Sequence, residues 1–294
     1  MSRPNAAKPR RSPLPAEEGR RRAHPRKRFG QHFLEPSWAD KVVEAIAPRP
    51  DDRFLEIGPG AGILTTRLAP RVRELTAIEI DRDLAARLQP SLPPNARLIV
   101  ADVLSVDLAQ LAGDGPLRVA GNLPYNISSP ILFKLIEGTR RTRAIPDATV
   151  MLQLEVAERL VAPVGTADYG VLAVLIRLHA DVTRVLTLPP GAFRPMPKVR
   201  SAVVRLAFRP AAVDVADEAQ FERLVRTIFM QRRKTLLNAL RPFAELLGTD
   251  PASALARADI DPRRRPETLD LAELARLART VREPRAGMSL RPEP

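Results

Sequence analysis

A short apolar strand that leads into three alternate glycines is the strongest local constraint on how this chain folds. The run Phe54–Ile57 is followed by Gly58, Gly60 and Gly62, and a helical pattern starts near Ile63. Such a strand-to-helix turn needs glycine because its backbone adopts positive φ and because a ligand can then approach the backbone amides. The G-x-G-x-G spacing differs from the G-x-G-x-x-G of dinucleotide enzymes. The motif therefore predicts either a cofactor site of another kind or a purely structural turn.

Short β-rich runs alternate with helical patterns from residue 53 onward, which is typical of a parallel, doubly wound α/β sheet. The predicted parallel strands are Arg53–Ile57, Glu74–Ile80, Ala96–Val100, Leu117–Ala120 and Ala148–Leu154. A later run, Ser201–Phe208, alternates apolar and more polar residues and predicts an antiparallel edge strand that closes the sheet. A helix is predicted after Ser129-Pro130, with Gly138 as its end.

Outside the α/β domain, which is predicted to span residues 29–210, the sequence predicts three further regions: 1–28, 211–282 and 283–294. Residues 1–28 contain two lysines and eight arginines against two glutamates, and they predict a disordered basic arm or a passive low-complexity tail. Residues 29–210 form the α/β domain. Helical spacing alone continues through 211–282, which predicts a small all-helical domain, and 283–294 read as a loose tail.

Composition narrows the classes of partner and of site. Lysine and arginine total 47 against 34 for aspartate and glutamate, a net charge of +13, which favours nucleic acid as the partner. The absence of cysteine excludes disulfides and thiolate metal sites, and three histidines leave little for a zinc centre, so we expect no metal. No run approaches the roughly 20 apolar residues of a membrane span, and a cytoplasmic protein is expected.

Acidic residues follow two further predicted strands. Glu79, at the end of the second strand, is placed to accept hydrogen bonds from both hydroxyls of a ribose. Asp102, at the end of the third strand and before Val103, could accept the amino group of an adenine whose ring the apolar residue covers. Either carboxylate alone could instead be a helix N-cap. Together with the glycine turn, they favour an adenosyl cofactor without a pyrophosphate.

The segment after the fourth strand, residues 121–126, carries the candidate chemistry. The amino group of adenine is a poor nucleophile because its lone pair is delocalised, and acceptors for its two protons favour a more pyramidal nitrogen. Asn122 offers a side-chain oxygen, the Leu123–Pro124 turn a carbonyl, and Tyr125 a ring for stacking. The alternative is a plain Asn-x-Pro turn before a helix. Phe193, in a proline-bracketed loop, is either a core anchor or the second half of an aromatic sandwich around a flipped-out base.

These motifs together resemble the ribosomal RNA adenine dimethyltransferases, and the small-subunit branch in particular. The resemblance covers about residues 26–240, and the matching segments are 29–34, 56–60, 79–81, 121–128, Gln153 with Glu155, 193–195 and 197–199. It implies a Rossmann-like class I methyltransferase sheet with a C-terminal helical domain. It further implies S-adenosylmethionine as the methyl donor, bound by His32, Leu34, Gly58, Glu79, Asp102 and Asn122. Position 32 is often asparagine in the family.

The resemblance also implies a substrate and a way of binding it. Tyr125 and Phe193 would flank the target adenine, and Arg232, Arg233 and Lys234, on one helix, would help to dock RNA. The alternative for this basic cluster is a solvated helix face. The expected activity is dimethylation of two adjacent adenines in a hairpin loop near the 3′ end of 16S rRNA during small-subunit biogenesis. The expected partner is the small ribosomal subunit, and no membrane partner is expected. The enzyme is expected to be a monomer.

Two other functions stay open at this point. One is the chemistry of the large-subunit resistance methylases, which modify one adenine. The other is an assembly or transcription factor that keeps the fold only to bind. The Asn122–Tyr125 segment and the strand-end carboxylates argue against pure binding, because a binding protein has no need of acceptors for an amine.

Overall fold

The computed structural model describes residues 32–281 of the chain. The predicted basic arm at 1–28, the tail at 283–294 and the motif residues 29–31 lie outside the described residues. Within them, α/β structure comes first and helices alone follow from residue 218 onward.

Seven strands form one mixed sheet in the order β4-β3-β2-β5-β6-β9-β7. Its parallel part is β4, β3, β2, β5 and β6, and β6–β9 and β9–β7 pair antiparallel. Two further short strands, β1 and β8, pair with each other. The bounds are β1 Phe33–Leu34, β2 Arg53–Ile57, β3 Glu74–Glu79, β4 Ala96–Val100, β5 Arg118–Asn122, β6 Asp147–Gln153, β7 Ala180–Leu188, β8 Phe193–Arg194 and β9 Ser201–Phe208. The predicted doubly wound α/β class is confirmed.

Eleven α-helices accompany these strands in the described part of the chain. Seven belong to the α/β part: α1 Pro36–Ile46, α2 Thr65–Leu68, α3 Arg82–Leu88, α4 Leu108–Ala112, α5 Ser128–Thr142, α6 Leu154–Val161 and α7 Val171–His179. Four follow the sheet: α8 Glu218–Met230, α9 Leu236–Leu246, α10 Pro251–Arg257 and α11 Leu271–Thr280.

The prediction that Ser201–Phe208 is an edge strand is wrong. The run does form the antiparallel strand β9, but β9 lies between β6 and β7, and the edge strand is β7. Strand β9 pairs along both edges, with β6 and with β7, and residues 201–204 are fully buried. Strand β7, with several exposed residues, has no clear alternation that would have identified it.

The helix predicted to stop at Gly138 continues to Thr142, so that prediction is also wrong. Gly138 is inside α5 because of packing: a Cβ there would lie 3.1 Å from Leu108 Cβ and 3.2 Å from Ile145 Cδ1. The glycine allows α5 to approach α4 closely, at a modest cost in helix propensity.

Helices α8–α11 share a hydrophobic core with α7, which precedes the edge strand. Val174 and Leu178 of α7 belong to the same buried cluster as Phe221 and Leu224 of α8. At the start of α8, Glu218 accepts a hydrogen bond from the buried His179 (Nε2 to Oε2, 3.0 Å). The C-terminal helices therefore pack directly on the α/β part and hold a fixed place beside its sheet.

Candidate active site

The strand order of the sheet places a crevice beside the glycine turn. Strand β2 continues to β3 on one side and pairs with β5 on the other, so the connections leave β2 and β5 in opposite directions. In open α/β sheets, ligands bind at the carboxyl ends of the strands at such a switch point. A cavity of ≈ 310 Å³ lies at this place.

The cavity brings together nearly all the residues that the sequence singled out. All six predicted cofactor residues line it, as do four of the five predicted catalytic residues: His32, Leu34, Gly58, Glu79, Asp102, Asn122, Leu123, Pro124 and Tyr125. They come from segments up to 93 positions apart in the chain, from residue 32 to residue 125. Phe193 is not among the lining residues.

The glycine turn has the conformation that the sequence predicted. Gly58, Gly60 and Gly62 have φ values of 68°, 58° and 80°, a region that side chains strongly disfavour. The helix that follows begins at Thr65, two residues after the predicted start. Gly58 and Gly60 line the cavity, so the turn forms part of its wall at the end of β2.

Glu79 is buried and held by the backbone on both sides. Its Oε2 accepts from the Gly60 N–H (3.0 Å) and its Oε1 from the Asp81 N–H (2.9 Å). Burial raises the pKa of Glu79, while the Asp81 and Gly60 amides act in the opposite direction. The glycine turn thus orients the carboxyl group at the end of β3, and each oxygen still has a lone pair for a ligand hydroxyl.

The capping alternative that the sequence left open for the strand-end carboxylates applies to Asp102, and the adjacent Asp81 also acts as a cap. Asp81 is the N-cap of α3, and its side chain accepts from the backbone of Asp83 and Leu84. Asp102 Oδ1 accepts from the Leu104 N–H (2.9 Å) and caps a short 3₁₀ turn, yet Asp102 also lines the cavity. Glu79 caps no helix, so the capping alternative does not account for it.

Asn122 has an amide whose orientation is fixed by its partner. Its Nδ2 donates to the backbone oxygen of His32 (2.8 Å), which leaves Oδ1 as the acceptor end of the side chain at the cavity. The residue before it must be glycine: a Cβ at position 121 would lie 2.5 Å from the Ile57 oxygen across the β2–β5 pair. The close pairing of β5 with β2 at Gly121 therefore places the Asn122 side chain beside the end of β2.

Tyr125 presents a ring to the same cavity. Its hydroxyl shares a hydrogen bond with Ser201 Oγ (2.7 Å), and its ring stacks on His32 with centroids 5.4 Å apart and planes at 26°. The His32 Nδ1 lies 2.8 Å from the Pro195 oxygen. Burial raises the pKa of Tyr125, and the Ser201 hydrogen bond lowers it. The ring is thus held in place, and one flat group already stacks on it.

Phe193 is fully buried in this structure. It pairs with Leu34 between β8 and β1, and both side chains belong to a core cluster with Val203. Its place matches the core-anchor alternative, and its ring offers no exposed face to stack on a base in this conformation.

Sequence reasoning missed Glu56, which precedes the glycine turn. It is 1% exposed and lines the cavity, although strand residues between Phe54 and Ile57 are otherwise apolar. A carboxylate inside an apolar strand was the signal that could have revealed it. With Glu79 and Asp102 it gives the cavity three carboxyl groups, and no lysine or arginine is among the described residues that line it.

The basic cluster lies in a turn, and the prediction that it occupies one helix is wrong. Helix α8 ends at Met230 and α9 begins at Leu236, and Thr235 has extended backbone (φ −63°, ψ 155°), which interrupts any continuous helix. Arg232 donates to the Ala167 oxygen (2.8 Å), which ties the turn to the loop before α7. Arg233 and Lys234 are exposed. We refer to residues 231–234 as the basic turn.

Two searches of residues 32–281 complete the description. No helix there combines the length and the apolar character needed to cross a membrane. No group of three or more histidine, aspartate or glutamate side chains in that range is arranged to hold a metal ion.

Comparison with known sequences identifies relatives over most of the chain. The family model described as ribosomal RNA adenine dimethylase matches residues 22–278. A protein from Anaeromyxobacter sp. (strain K) named ribosomal RNA small subunit methyltransferase A is 46% identical over 270 residues, which cover 87% of this chain and 93% of the relative. A protein of the same name from Proteus mirabilis is 44% identical, over 86% and 92% of the two chains.

Solved structures agree with these sequence matches. A dimethyladenosine transferase from Plasmodium falciparum superposes with a TM-score of 0.66 at 26% identity, covering 84% of this chain and 96% of its own. The 23S rRNA methyltransferase ErmE superposes with a TM-score of 0.58 at 27% identity, over 85% and 99% of the two chains. The sheet with its crevice, the residues gathered there and the match along the chain lead to one conclusion, that this chain belongs to the ribosomal RNA adenine dimethylase family.

Proposed function

We propose that the protein uses S-adenosylmethionine to dimethylate the amino groups of two adjacent adenines in a hairpin loop near the 3′ end of 16S rRNA, during small-subunit biogenesis. The observation that carries this proposal is the single cavity in which the six predicted cofactor residues meet Asn122 and Tyr125. Family membership supports adenine as the base and ribosomal RNA as the substrate.

The cavity fits a cationic adenosyl cofactor. Three carboxyl groups line it, and no lysine or arginine is among the described lining residues, in a protein whose net charge is +13. We assign Glu79 to the ribose hydroxyls and Asp102 to the adenine amino group, with His32, Leu34, Gly58 and Asn122 completing the site. The bound cofactor supplies an electrophilic methyl group, and the protein's contribution is to bind and orient it. No metal ion is part of the proposal.

The residues at the end of β5 hold the base in a reactive geometry. Asn122 Oδ1 accepts one proton of the adenine amino group, and a carbonyl of the Leu123–Pro124 turn accepts the other. These bonds favour a pyramidal nitrogen whose lone pair points at the methyl group. The nitrogen attacks first and loses its proton afterwards, so no general base of shifted pKa is required. Tyr125 stabilises the flipped base by stacking.

Two parts of the proposal concern how RNA is held. Phe193 would flank the base opposite Tyr125, which requires that its ring leave the core cluster when RNA binds. The α/β part at 29–210 would carry the chemistry, and the helical part at 211–282 would dock RNA through Arg232, Arg233 and Lys234. We further propose that the enzyme acts as a monomer in the cytoplasm, where ribosomal subunits are assembled.

The small-subunit reaction is favoured over the large-subunit one by degree of similarity. Relatives named as small-subunit methyltransferases are 44–46% identical to this chain, whereas the 23S rRNA methyltransferase is 27% identical. The large-subunit reaction remains the second candidate because its enzyme shares the fold over most of both chains.

The test is tritium transfer from labelled S-adenosylmethionine to unmethylated small subunits, with large subunits assayed in parallel. We expect label in the small subunit alone, located in two neighbouring dimethyladenosines near the 3′ end of its RNA. Label in the large subunit would favour the second candidate. Absence of label in both subunits, with intact binding, would instead identify a binding protein.

A further inference from the structure

Gln153, at the end of β6, has a side-chain amide that the proposed chemistry does not use. Its side chain is half-buried, and the amide makes no hydrogen bond within residues 32–281. Gln153 is the N-cap residue of α6, yet its side chain caps no backbone N–H there. Because a half-buried amide without a partner gives up hydrogen bonds to water, capping does not explain the glutamine and a ligand would.

The register of the sheet places this amide beside the hydroxyl end of Tyr125. Gln153 of β6 is paired directly with Ser201 of β9. Residues paired in this way project from the same face of an antiparallel sheet, with Cβ atoms about 4.5–5.5 Å apart. Ser201 Oγ is 2.7 Å from the Tyr125 hydroxyl oxygen. The Gln153 side chain therefore starts next to the group that holds the Tyr125 ring.

The strand order leads to the same neighbourhood. Tyr125 follows the end of β5, and β6 lies between β5 and β9. To reach Ser201 on β9, the Tyr125 side chain must pass the end of β6, which is where Gln153 lies. The carboxyl end of β6 thus contributes an unpaired amide beside the ring on which we propose that the target adenine stacks.

Phe193 packs against the same face of the sheet. Met151 and Val203 are the next pair along β6 and β9 that project from this face, and both belong to the core cluster of Phe193. Gln153 therefore lies at the end of the face that holds one of the two aromatic residues proposed to flank the base, and beside the other.

We propose that Gln153 recognises the target adenine, and that its Nε2 donates a hydrogen bond to a ring nitrogen on one side of the amino group, N1 or N7. The proposal rests on the proposed function, because it assumes an adenine beside Tyr125. Asn122 and the Leu123–Pro124 carbonyl are acceptors for the two amino protons, so the ring nitrogens of the base still need a donor. A glutamine amide supplies one and is a usual partner of adenine edges.

The experiment is a double-mutant cycle between the protein and the base. Small subunits are reconstituted with 16S rRNA whose ligated 3′ segment carries adenine, 1-deazaadenine or 7-deazaadenine at both target positions. Single-turnover methyl transfer is measured at saturating S-adenosylmethionine and subsaturating subunits, for wild type and Gln153→Met. Gln110→Met, which replaces an exposed amide on α4 away from the cavity, is the matched control.

We expect Gln153→Met to transfer methyl groups to unmodified adenine about 3- to 10-fold more slowly than wild type, the effect of one lost hydrogen bond. One analogue should slow wild type by a similar factor through the same bond and add no such loss in Gln153→Met, because the partner is already gone. Effects of an analogue on the intrinsic reactivity of the amino group should be equal in all proteins and cancel in the cycle. Gln110→Met should behave as wild type.

The outcomes separate this proposal from the proposed function. If wild type transfers no methyl group to unmodified subunits, the proposed function itself fails. If Gln153→Met equals wild type on unmodified adenine, or is as sensitive as wild type to both analogues, Gln153 does not recognise the base. Gln153→Glu, which keeps the size of the side chain but replaces the donor by an acceptor, decides should Gln153→Met fail to fold. A cycle that couples to 1-deazaadenine would assign N1, and one that couples to 7-deazaadenine would assign N7.

Discussion

The cavity at the strand ends and the basic turn carry opposite charges on one protein. The cavity lies in the crevice at the strand ends and has three carboxyl groups, of which Glu56 and Glu79 are almost completely buried. The basic turn is on the surface and presents Arg233 and Lys234 to solvent. The net charge of +13 thus describes the surface that a polyanion meets and gives no indication of the small-ligand site. A cationic cofactor and a polyanionic substrate can be bound at the same time, because the acidic cavity attracts the first and the basic surface attracts the second.

The largest effect should come from Asn122, for which we propose contacts with both the cofactor and the target base. Asn122→Ala should bind small subunits nearly as well as wild type but transfer methyl groups about 100-fold more slowly, because the lost acceptor acts mainly in the transition state. Single-turnover transfer at saturating cofactor measures the rate, and a subunit-binding assay measures affinity. Gln110→Ala, which removes an exposed side-chain amide on α4 away from the cavity, is the control. An unchanged transfer rate in Asn122→Ala would show that residues 122–125 form only a structural turn.

A substitution at Glu79 tests the acidic cavity separately from the basic turn. Glu79→Ala should weaken S-adenosylmethionine binding by roughly 2–4 kcal/mol through loss of charge-assisted ribose hydrogen bonds, with RNA affinity unchanged. Calorimetric titration measures the first and filter binding the second. Glu137→Ala, which removes an exposed carboxylate on α5, should alter neither. A Glu79→Ala protein that binds the cofactor as wild type does would contradict the assignment.

Glu56 predicts a pH-dependent stability in the absence of cofactor. Its folded-state pKa of about 7 is above the ordinary value of 4.5. The carboxyl therefore favours folding most below about pH 4.5, and this contribution is lost as the pH rises through 7. Glu56→Gln should raise the free energy of unfolding by about 3 kcal/mol at pH 8 and change it little at pH 4.5. Urea denaturation at the two pH values measures this, and an equal effect at both would show that ionisation is not the cause.

Tyr125 predicts a smaller effect, confined to the base. Tyr125→Ala should lose stacking worth roughly 1–3 kcal/mol in the binding of the target loop, together with some rate. Tyr125→Phe keeps the ring and loses only the hydrogen bond to Ser201, so it should retain most of the affinity. Fluorescence of 2-aminopurine placed at the target adenine reports on stacking. Equal affinities for the alanine and phenylalanine variants would show that the ring does not stack on the base.

The sequence predicted local structure well where apolar runs are bounded by turns. Strands Arg53–Ile57, Ala96–Val100 and Ser201–Phe208 have the predicted bounds, and the remaining predicted strands differ by one or two residues at one or both ends. The place of Ser201–Phe208 in the sheet could not be read from its own pattern, because strand order depends on β7, whose pattern is irregular. The helix break at Thr235 was likewise hidden, since apolar residues continue at helical spacing on both sides.

The site was predictable to the extent that its residues stand at strand ends. Parallel strands bring their carboxyl ends to one edge, so Gly58, Glu79, Asp102 and Asn122 meet once the fold is known. The burial of Phe193 depends on pairing between β1 and β8, which are distant in sequence and only two residues long. The same pairing positions His32 beside Tyr125, and no local sequence pattern predicts that contact.

The claim that the cofactor cavity is acidic and the RNA-binding surface is basic is tested most directly by the salt dependence of the two affinities, for S-adenosylmethionine and for RNA, measured on the same protein. We expect RNA affinity to fall steeply with salt and S-adenosylmethionine affinity to change little, because exposed phosphate contacts exchange counterions and buried carboxyl groups are weakly screened. Replacing Arg233 and Lys234 by alanine should flatten the RNA slope of log K against log salt by about 1–2 and leave cofactor binding unaltered. Parallel slopes for the two ligands, or an RNA slope that the double variant does not change, would contradict the account.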